Sequence, residues 1–347
     1  MILPRRFLPL ALLVSPLVAQ TAEQSGTKEV TPAPEKSVPA AEVAEAKKEW
    51  PPSGMGLFEK GLALGCIQDN PRKSYRRVYQ RTLMPTEPRF YYNAVLTFDD
   101  QLVPFSEDEA SAMEVMKDLA PRGARAVFFA NVPGVASPSL RPFFKIKDRE
   151  ARKKACRQLL DSKRAEFVEA IRELIKIKKD DQWLAEVHSH TAFHQNMRNF
   201  RLGSAQMDLC IVGLHFVEEC LDEAYAAERP GYRRQRFFRF PFLAVPRDAK
   251  ARSAINDVFT ELGLLSVGET QDSKDYANGS PDKAYKALVA ARQGKRYDAK
   301  SGPYSTAQLP VALFHTKTWR KIGPGILKAL VEAKALEARK KIALDAE

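Results

Sequence analysis

From residue 94 onward, short apolar runs alternate with longer amphipathic stretches. Six runs have the length and the β-branched or aromatic content of buried strands: 94–99, 125–130, 183–188, 236–240, 264–267 and 311–315. Helical periodicity fills the gaps near 106–120, 148–179, 203–228, 248–262, 281–293 and 321–343. Ser106-Glu107-Asp108-Glu109 has the form of a capping box at the start of the first helix. Strands and helices that alternate in this way predict a parallel sheet, open or closed into a barrel. No internal repeat is visible.

The pattern is different before residue 94. Arg5-Arg6 and the apolar run 7–19 have the form of a signal peptide over 1–20, with Ala19 at a plausible cleavage position. The run is short for a membrane span and carries Pro9 and Pro16, which favours cleavage over a retained anchor. No Cys follows it to mark a lipoprotein, and no later segment is apolar enough to cross a membrane. Residues 21–50 are rich in Ala, Glu, Pro, Lys and Thr and read as a disordered linker. Residues 51–93 hold Pro51-Pro52, a basic patch at 72–81 and Phe90-Tyr91-Tyr92, and read as an N-terminal cap segment. The folded domain is expected over 94–320 and a C-terminal helix over 321–347. The expected location is exported, periplasmic or secreted.

Composition narrows the classes. The chain of 347 residues, 44% hydrophobic and 28% charged, is long enough for two domains or one α/β barrel with extensions. A formal charge of +12 points to an anionic partner. No nucleic-acid-binding motif accompanies it, and export argues against nucleic acid. The segment 134–182 concentrates Lys145, Lys147, Arg149, Arg152, Lys153, Lys154 and Arg157. It reads either as a solvated helix face or as a basic wall holding an anionic polymer near the site. Cys210 and Cys220 fall on one expected helix roughly 15 Å apart, too far to bond each other. Buried free thiols are the favoured reading, with the disulfide state of Cys66, Cys156, Cys210 and Cys220 left open.

The candidate chemistry collects at strand ends. The first strand ends in Asp99-Asp100, the third in His188-Ser189-His190-Thr191-Ala192-Phe193-His194, the fourth in Arg239-Phe240-Pro241-Phe242, and the last in His315. Asp272 to Tyr276 follows the fifth strand. Parallel α/β folds gather the carboxyl ends of their strands on one rim, where active sites are built. Adjacent carboxylates repel, so Asp99-Asp100 is favourable only if a metal neutralises one of them while the other handles protons. Because strand alternation points the two side chains to opposite faces, the strand must curl there. His190 and His194, four apart, would share a metal from one helical turn, with Asp100 as the oxygen ligand; Zn²⁺ suits that set. His188 falls on the other side of the strand. Asp99 is the natural base, held ionised by Arg239, and His315 the natural acid, oriented by Asp275. Asp272 and Asp275 also fit a plain polar loop. Tyr276 and Trp319 fit either a stacking wall or the core.

These motifs, in this order, resemble the polysaccharide deacetylase family, the NodB-homology group of carbohydrate esterase family 4. The resemblance rests on Thr97-Phe98-Asp99-Asp100, the Ala126–Phe129 strand, His190 to His194, Arg239-Phe240-Pro241-Phe242, Asp272 to Tyr276 and Leu313-Phe314-His315, and covers about 90–320. It implies a distorted (β/α) barrel and metal-dependent removal of acetyl groups from sugars. It also implies Asp99 as base, Asp100, His190 and His194 as ligands, and His315 as acid. Gln101 and Leu243 stand where the family usually has Gly, and 134–182 is longer than usual. Gln101 would crowd the metal or touch substrate; with Phe242 and Tyr276 it makes up the substrate-binding candidates. The implied partner is an acetylated polysaccharide, an N-acetylhexosamine polymer of the envelope. Alternatives are an O-acetyl esterase and a catalytically silent glycan-binding protein.

Overall fold

The computed structural model describes residues 95–267, 271–292, 295–298, 302–305 and 311–344. The expected signal peptide, linker and cap segment, together with Cys66, lie outside the described residues.

One sheet organises the chain. Its strands are β1 (Val95–Gln101), β2 (Ala126–Asn131), β3 (Ala185–Ser189), β4 (Phe237–Phe238), β5 (Leu265–Ser266), β6 (Gln271–Asp272) and β7 (Val311–His315). Their order is β5-β4-β3-β2-β1-β7-β6, and every pairing is parallel. Helices α1 (Ala112–Leu119), α2 (Arg149–Asp161), α3 (Arg164–Ile175), α4 (Ala205–Glu228), α5 (Ala249–Leu262), α6 (Pro281–Arg292) and α7 (Trp319–Leu344) fill the connections. This is the expected α/β class, a distorted (β/α) barrel whose described sheet has edges at β5 and β6.

Several local expectations are corrected. The capping box is one turn later than read: the Glu114 N–H donates to Ser111 Oγ (3.1 Å) and the Ser111 N–H to Glu114 Oε2 (2.7 Å). Both boxes fit the pattern, but the helix and its buried face begin at Ala112. The stretch 148–179 is two helices, broken at Ser162-Lys163, and ends in a hairpin in which Lys178–Lys179 pairs antiparallel with Gln182–Trp183. Asp180 and Asp181 take left-handed φ at its turn, where short polar side chains tolerate that geometry. β4 keeps two of the five residues expected, and the two-residue β6 was not anticipated; both are too short to show a period.

The core is layered around Phe98. Its ring lies 5.5 Å from Phe128, 5.8 Å from Phe314 and 5.7 Å from Trp319. Trp319 is thus a core residue, and its indole N–H donates to Asp118 (2.8 Å). The Phe98 neighbourhood ties β1, β2, β7 and α7 together and holds the strand ends level. Asp99 aligns with His315 and with Phe129, and Ser189 with Phe238.

Part of the basic segment is internal glue. Asp208 on α4 accepts from Arg149 (2.6 Å) and Arg152 (3.2 Å), and Glu219 accepts from Arg157 (2.6 Å) and Arg164 (2.6 Å). These pairs fasten α2 and α3 to α4, so Arg149, Arg152 and Arg157 do not form the basic wall. Cys156, Cys210 and Cys220 are buried free thiols, each pushed up to about 12 by burial.

Candidate active site

Asp99 is fixed at the end of β1. Its Oδ1 accepts from Arg239 Nη1 at 2.7 Å, and the same nitrogen donates to Thr97 Oγ1 at 2.8 Å. Thr97 in turn donates to the Ala312 carbonyl on β7 (2.9 Å). Arg239 is fully buried, with its guanidinium 4.2 Å from the Phe129 ring centre. A buried charge of this kind needs a partner, and Asp99 is one.

Asp100 follows with φ 82°, which turns its side chain out of strand alternation. Both carboxylates are therefore buried on one rim, as the curl argument required. Asp100 Oδ1 lies 3.2 Å from His194 Nε2, and Oδ2 lies 2.9 Å from Lys317 Nζ. Burial pushes the Asp100 carboxyl up, but His194, His315 and Lys317 outweigh it and hold it well below the usual carboxylate range. Burial also pushes the Lys317 ammonium down, and Asp100 more than restores it.

His190 and His194 meet without a helix. They lie in a loop in which Thr191 (φ 66°) and His194 (φ 49°) are left-handed, and their rings are 5.1 Å apart. The two rings meet as the spacing suggested, but through a loop and not through the helical turn expected. A backbone bond from the His190 N–H to the Ala130 carbonyl (3.0 Å) holds the loop on β2, and the Ser137 hydroxyl, beyond β2, donates to the carbonyls of Phe193 and His194 (3.1 and 3.2 Å). His190 Nδ1 is 2.8 Å from the Arg239 carbonyl. A carbonyl only accepts, so Nδ1 carries the hydrogen and Nε2 presents its lone pair. Burial pushes the His190 imidazole down to about 4, so it is neutral.

One oxygen of Asp100 and one nitrogen each of His190 and His194 lie within 4.8 Å of one another. A neutral imidazole with an assigned lone pair, a second imidazole and an ionised carboxylate form a donor set that fits a divalent metal with positions left open. His190 Nε2 is also 3.7 Å from Asp99 Oδ2, so the base candidate borders the ligand candidates.

His315 ends β7 opposite Asp99. Its Nδ1 pairs with Asp275 Oδ1 (2.7 Å), and its backbone N–H donates to Asp275 Oδ2 (2.9 Å). The Ser273 and Thr318 hydroxyls donate to the same carboxylate. Burial pushes the His315 imidazole down, and Asp275, with Asp100 and Asp99, more than reverses it. Burial pushes the Asp275 carboxyl up, and His315 and Thr318 bring it below its ordinary value. His315 is thus poised to hold a proton on the nitrogen that Asp275 leaves free.

No protein-family model matches the sequence, and no curated protein matches it. Solved structures similar to the chain include family 4 carbohydrate esterases and peptidoglycan deacetylases. The Streptomyces lividans family 4 esterase is 20% identical, with a TM-score of 0.41 over 69% of this chain and 88% of the other. A Bacillus subtilis peptidoglycan deacetylase is 13% identical, with a TM-score of 0.39 over 73% and 96%. A family 4 pseudoenzyme from Bacillus anthracis is 12% identical, with a TM-score of 0.40 over 72% and 62%. At these values the roles of individual side chains rest on the geometry above.

The remaining candidates divide. Phe242 is exposed, with its ring 4.5 Å from His194, and Tyr276 is exposed 5.2 Å from His315. Gln101 ends β1 opposite Asn131, with its Oε1 buried and without a hydrogen-bond partner. His188 is buried on the other face, beside Glu186 (3.4 Å) and Phe237, away from the ligand set. Asp272 closes a turn by accepting the Lys274 N–H (2.8 Å). Lys317, Thr97, Ser273 and Thr318 were missed as participants. Their only sequence signal is adjacency to residues that were named.

Proposed function

We propose that the chain is a metal-dependent deacetylase of the polysaccharide deacetylase family, hydrolysing N-acetyl groups of an N-acetylhexosamine-containing polysaccharide. The observation that carries this reading is the flanking of one O,N,N donor set by two separately anchored side chains able to handle protons. Asp99 is tied to a buried arginine at 2.7 Å, and His315 to a buried carboxylate at 2.7 Å. Zn²⁺ held by Asp100, His190 and His194 would polarise the acetyl carbonyl and lower the pKa of water. Asp99 takes the proton of the attacking water, with Arg239 fixing its carboxylate. His315 gives a proton to the departing amine nitrogen and Asp275 orients its ring. Asp99 and His315 sit on paired strands, so the two proton transfers flank one reacting carbon.

The rim supports a sugar polymer. Phe105, Phe144, Leu202, Phe242 and Tyr276 are exposed large apolar residues, each on a connection that follows the carboxyl end of a strand. Apolar faces of this kind stack on sugar rings. Export to the periplasm or medium rests on the sequence of residues 1–20.

One observation favours a second reading. Lys317 places an ammonium 2.9 Å from Asp100, supplying positive charge where a metal ligand is needed. A glycan-binding protein without turnover would retain that pair. Metal binding and acetate release measured on Asp99→Asn and His194→Ala separate the two. The deacetylase predicts that Asp99→Asn binds metal and loses turnover by about 10²-fold or more, and that His194→Ala loses both. Full activity in Asp99→Asn would remove Asp99 as base.

A further inference from the structure

The connection from α4 to β4 reads Arg229-Pro230-Gly231-Tyr232-Arg233-Arg234-Gln235-Arg236, four arginines in eight residues. It enters β4 at its amino end, so it lies at the opposite end of the sheet from Asp99 and His315. There Arg229, Arg233, Arg234, Arg236, Tyr225 and Tyr232 line a pocket of about 410 Å³, with Asp222 at its wall. This size is in the range of small-ligand sites.

Charge is not balanced in this pocket. Arg234 donates to Glu218 (2.5 Å) and Asp222 (2.9 Å), and Arg236 to Asp222 (2.8 Å). Two carboxylates thus serve two guanidiniums. Arg229 is 3% exposed and donates only to neutral carbonyls, those of Ile175 (2.6 Å) and Ala185 (2.7 Å). It stacks on Trp183 at 4.2 Å and faces Tyr225 and Tyr232. Arg233 is exposed and pairs with no carboxylate among the described residues. Arg229 Nη1 and Arg234 Nε and Nη1 are buried N–H groups without hydrogen-bond partners. Glu186, the next carboxylate on β3, is engaged by Arg125 (3.4 Å).

A buried guanidinium held only by carbonyls, beside unused donors, is costly unless an anion completes it. Planar guanidinium forks match the oxygens of a phosphate group. Arg229 and Arg233 together leave two uncompensated positive charges, which a dianion balances. We propose that this pocket binds a phosphate dianion, free or as the monoester of a small organic group, independently of the rim site.

Isothermal titration of the full chain, stripped of metal with a chelator, with inorganic phosphate at constant ionic strength tests this. Glycerol phosphate in a second arm distinguishes free phosphate from a monoester. Saturable binding of either is expected, weakened about tenfold or more in Arg233→Gln and retained in His194→Ala. Arg233 is exposed and makes no hydrogen bond or ion pair among the described residues, so its variant is expected to fold as the parent does, which circular dichroism checks. No saturable binding in either arm, equal affinity in Arg233→Gln, or loss of binding in His194→Ala would overturn the proposal. Only the last of these would point to the rim instead.

Discussion

Asp100, Thr191, His194, Phe242, Leu243 and Lys274 are non-glycine residues with φ between 49° and 82°; Asp100 is the penultimate residue of β1, and the others lie on connections that follow strands. L-residues avoid this region, and such strain gathers where a site over-determines the backbone. Lys317 sets a cation directly against Asp100 there. Any cation bound by Asp100 competes with its ammonium at 2.9 Å. Lys317→Met is therefore expected to tighten zinc binding about tenfold, read by competition with a chromophoric chelator; unchanged or weaker binding would remove Lys317 as a competitor. Asp275→Asn tests the proton donor. As the proposed proton donor, His315 would act in its protonated form, present below its pKa and lost above it. Asp275 is the main group raising that pKa against burial. The variant should therefore move the alkaline limb of the kcat profile to lower pH and leave the acid limb in place. An unmoved alkaline limb would show that another group donates the proton. The carboxylates, histidines, Arg239 and Asp275 were legible as residues because each ends a strand or sits in a named motif. Lys317 was not, because an isolated lysine two residues past a strand has no periodicity or spacing to mark it.

At the scale of elements, the strands were more legible than their ends, and the helices more legible than their breaks. Apolar runs announced β1, β2 and β7. β4 and β6 are two residues each and owe their existence to neighbouring strands rather than to their own pattern. The His190–His194 loop shows the same dependence: four-residue spacing suggested a helix, but bonds to β2 and Ser137 override it. Helix α4 backs this loop through Gly213, where an added Cβ would lie 2.9 Å from the Ala192 Cβ. In an open helix, Gly→Ala stabilises by about 1 kcal/mol. Here overpacking, typically about 1–3 kcal/mol, pushes on the loop between the two histidines. Gly213→Ala is expected to lower stability in urea unfolding and to weaken zinc binding while leaving Asp99 and Arg239 paired. A stabilised variant with unchanged zinc affinity would mean that the loop does not rest on α4.

Over the whole molecule, one sheet gives two unlike ends. The carboxyl ends of the strands carry the carboxylates and histidines, and the amino ends carry the arginine pocket. The charge of +12 was legible in composition, but its placement was not. Part of the basic segment after β2 fastens α2 and α3 to α4 instead of lining the site, because acidic partners on a distant helix are invisible to local patterning. The α/β class with a parallel sheet followed from alternation, and the distorted barrel from the resemblance. The convergence of five strand ends on one rim followed from the rule for parallel sheets, and register makes it concrete by aligning Asp99 with His315 and Ser189 with Phe238. The most direct measurement is acetate release by metal-free full-length protein as zinc is added back, across chitin oligomers, peptidoglycan, poly-N-acetylglucosamine and acetylxylan. Release from an N-acetylated glycan that rises with zinc to one equivalent, and is absent in Asp100→Asn, is the predicted result. Zinc bound at one equivalent with no acetate from any of these glycans would contradict it.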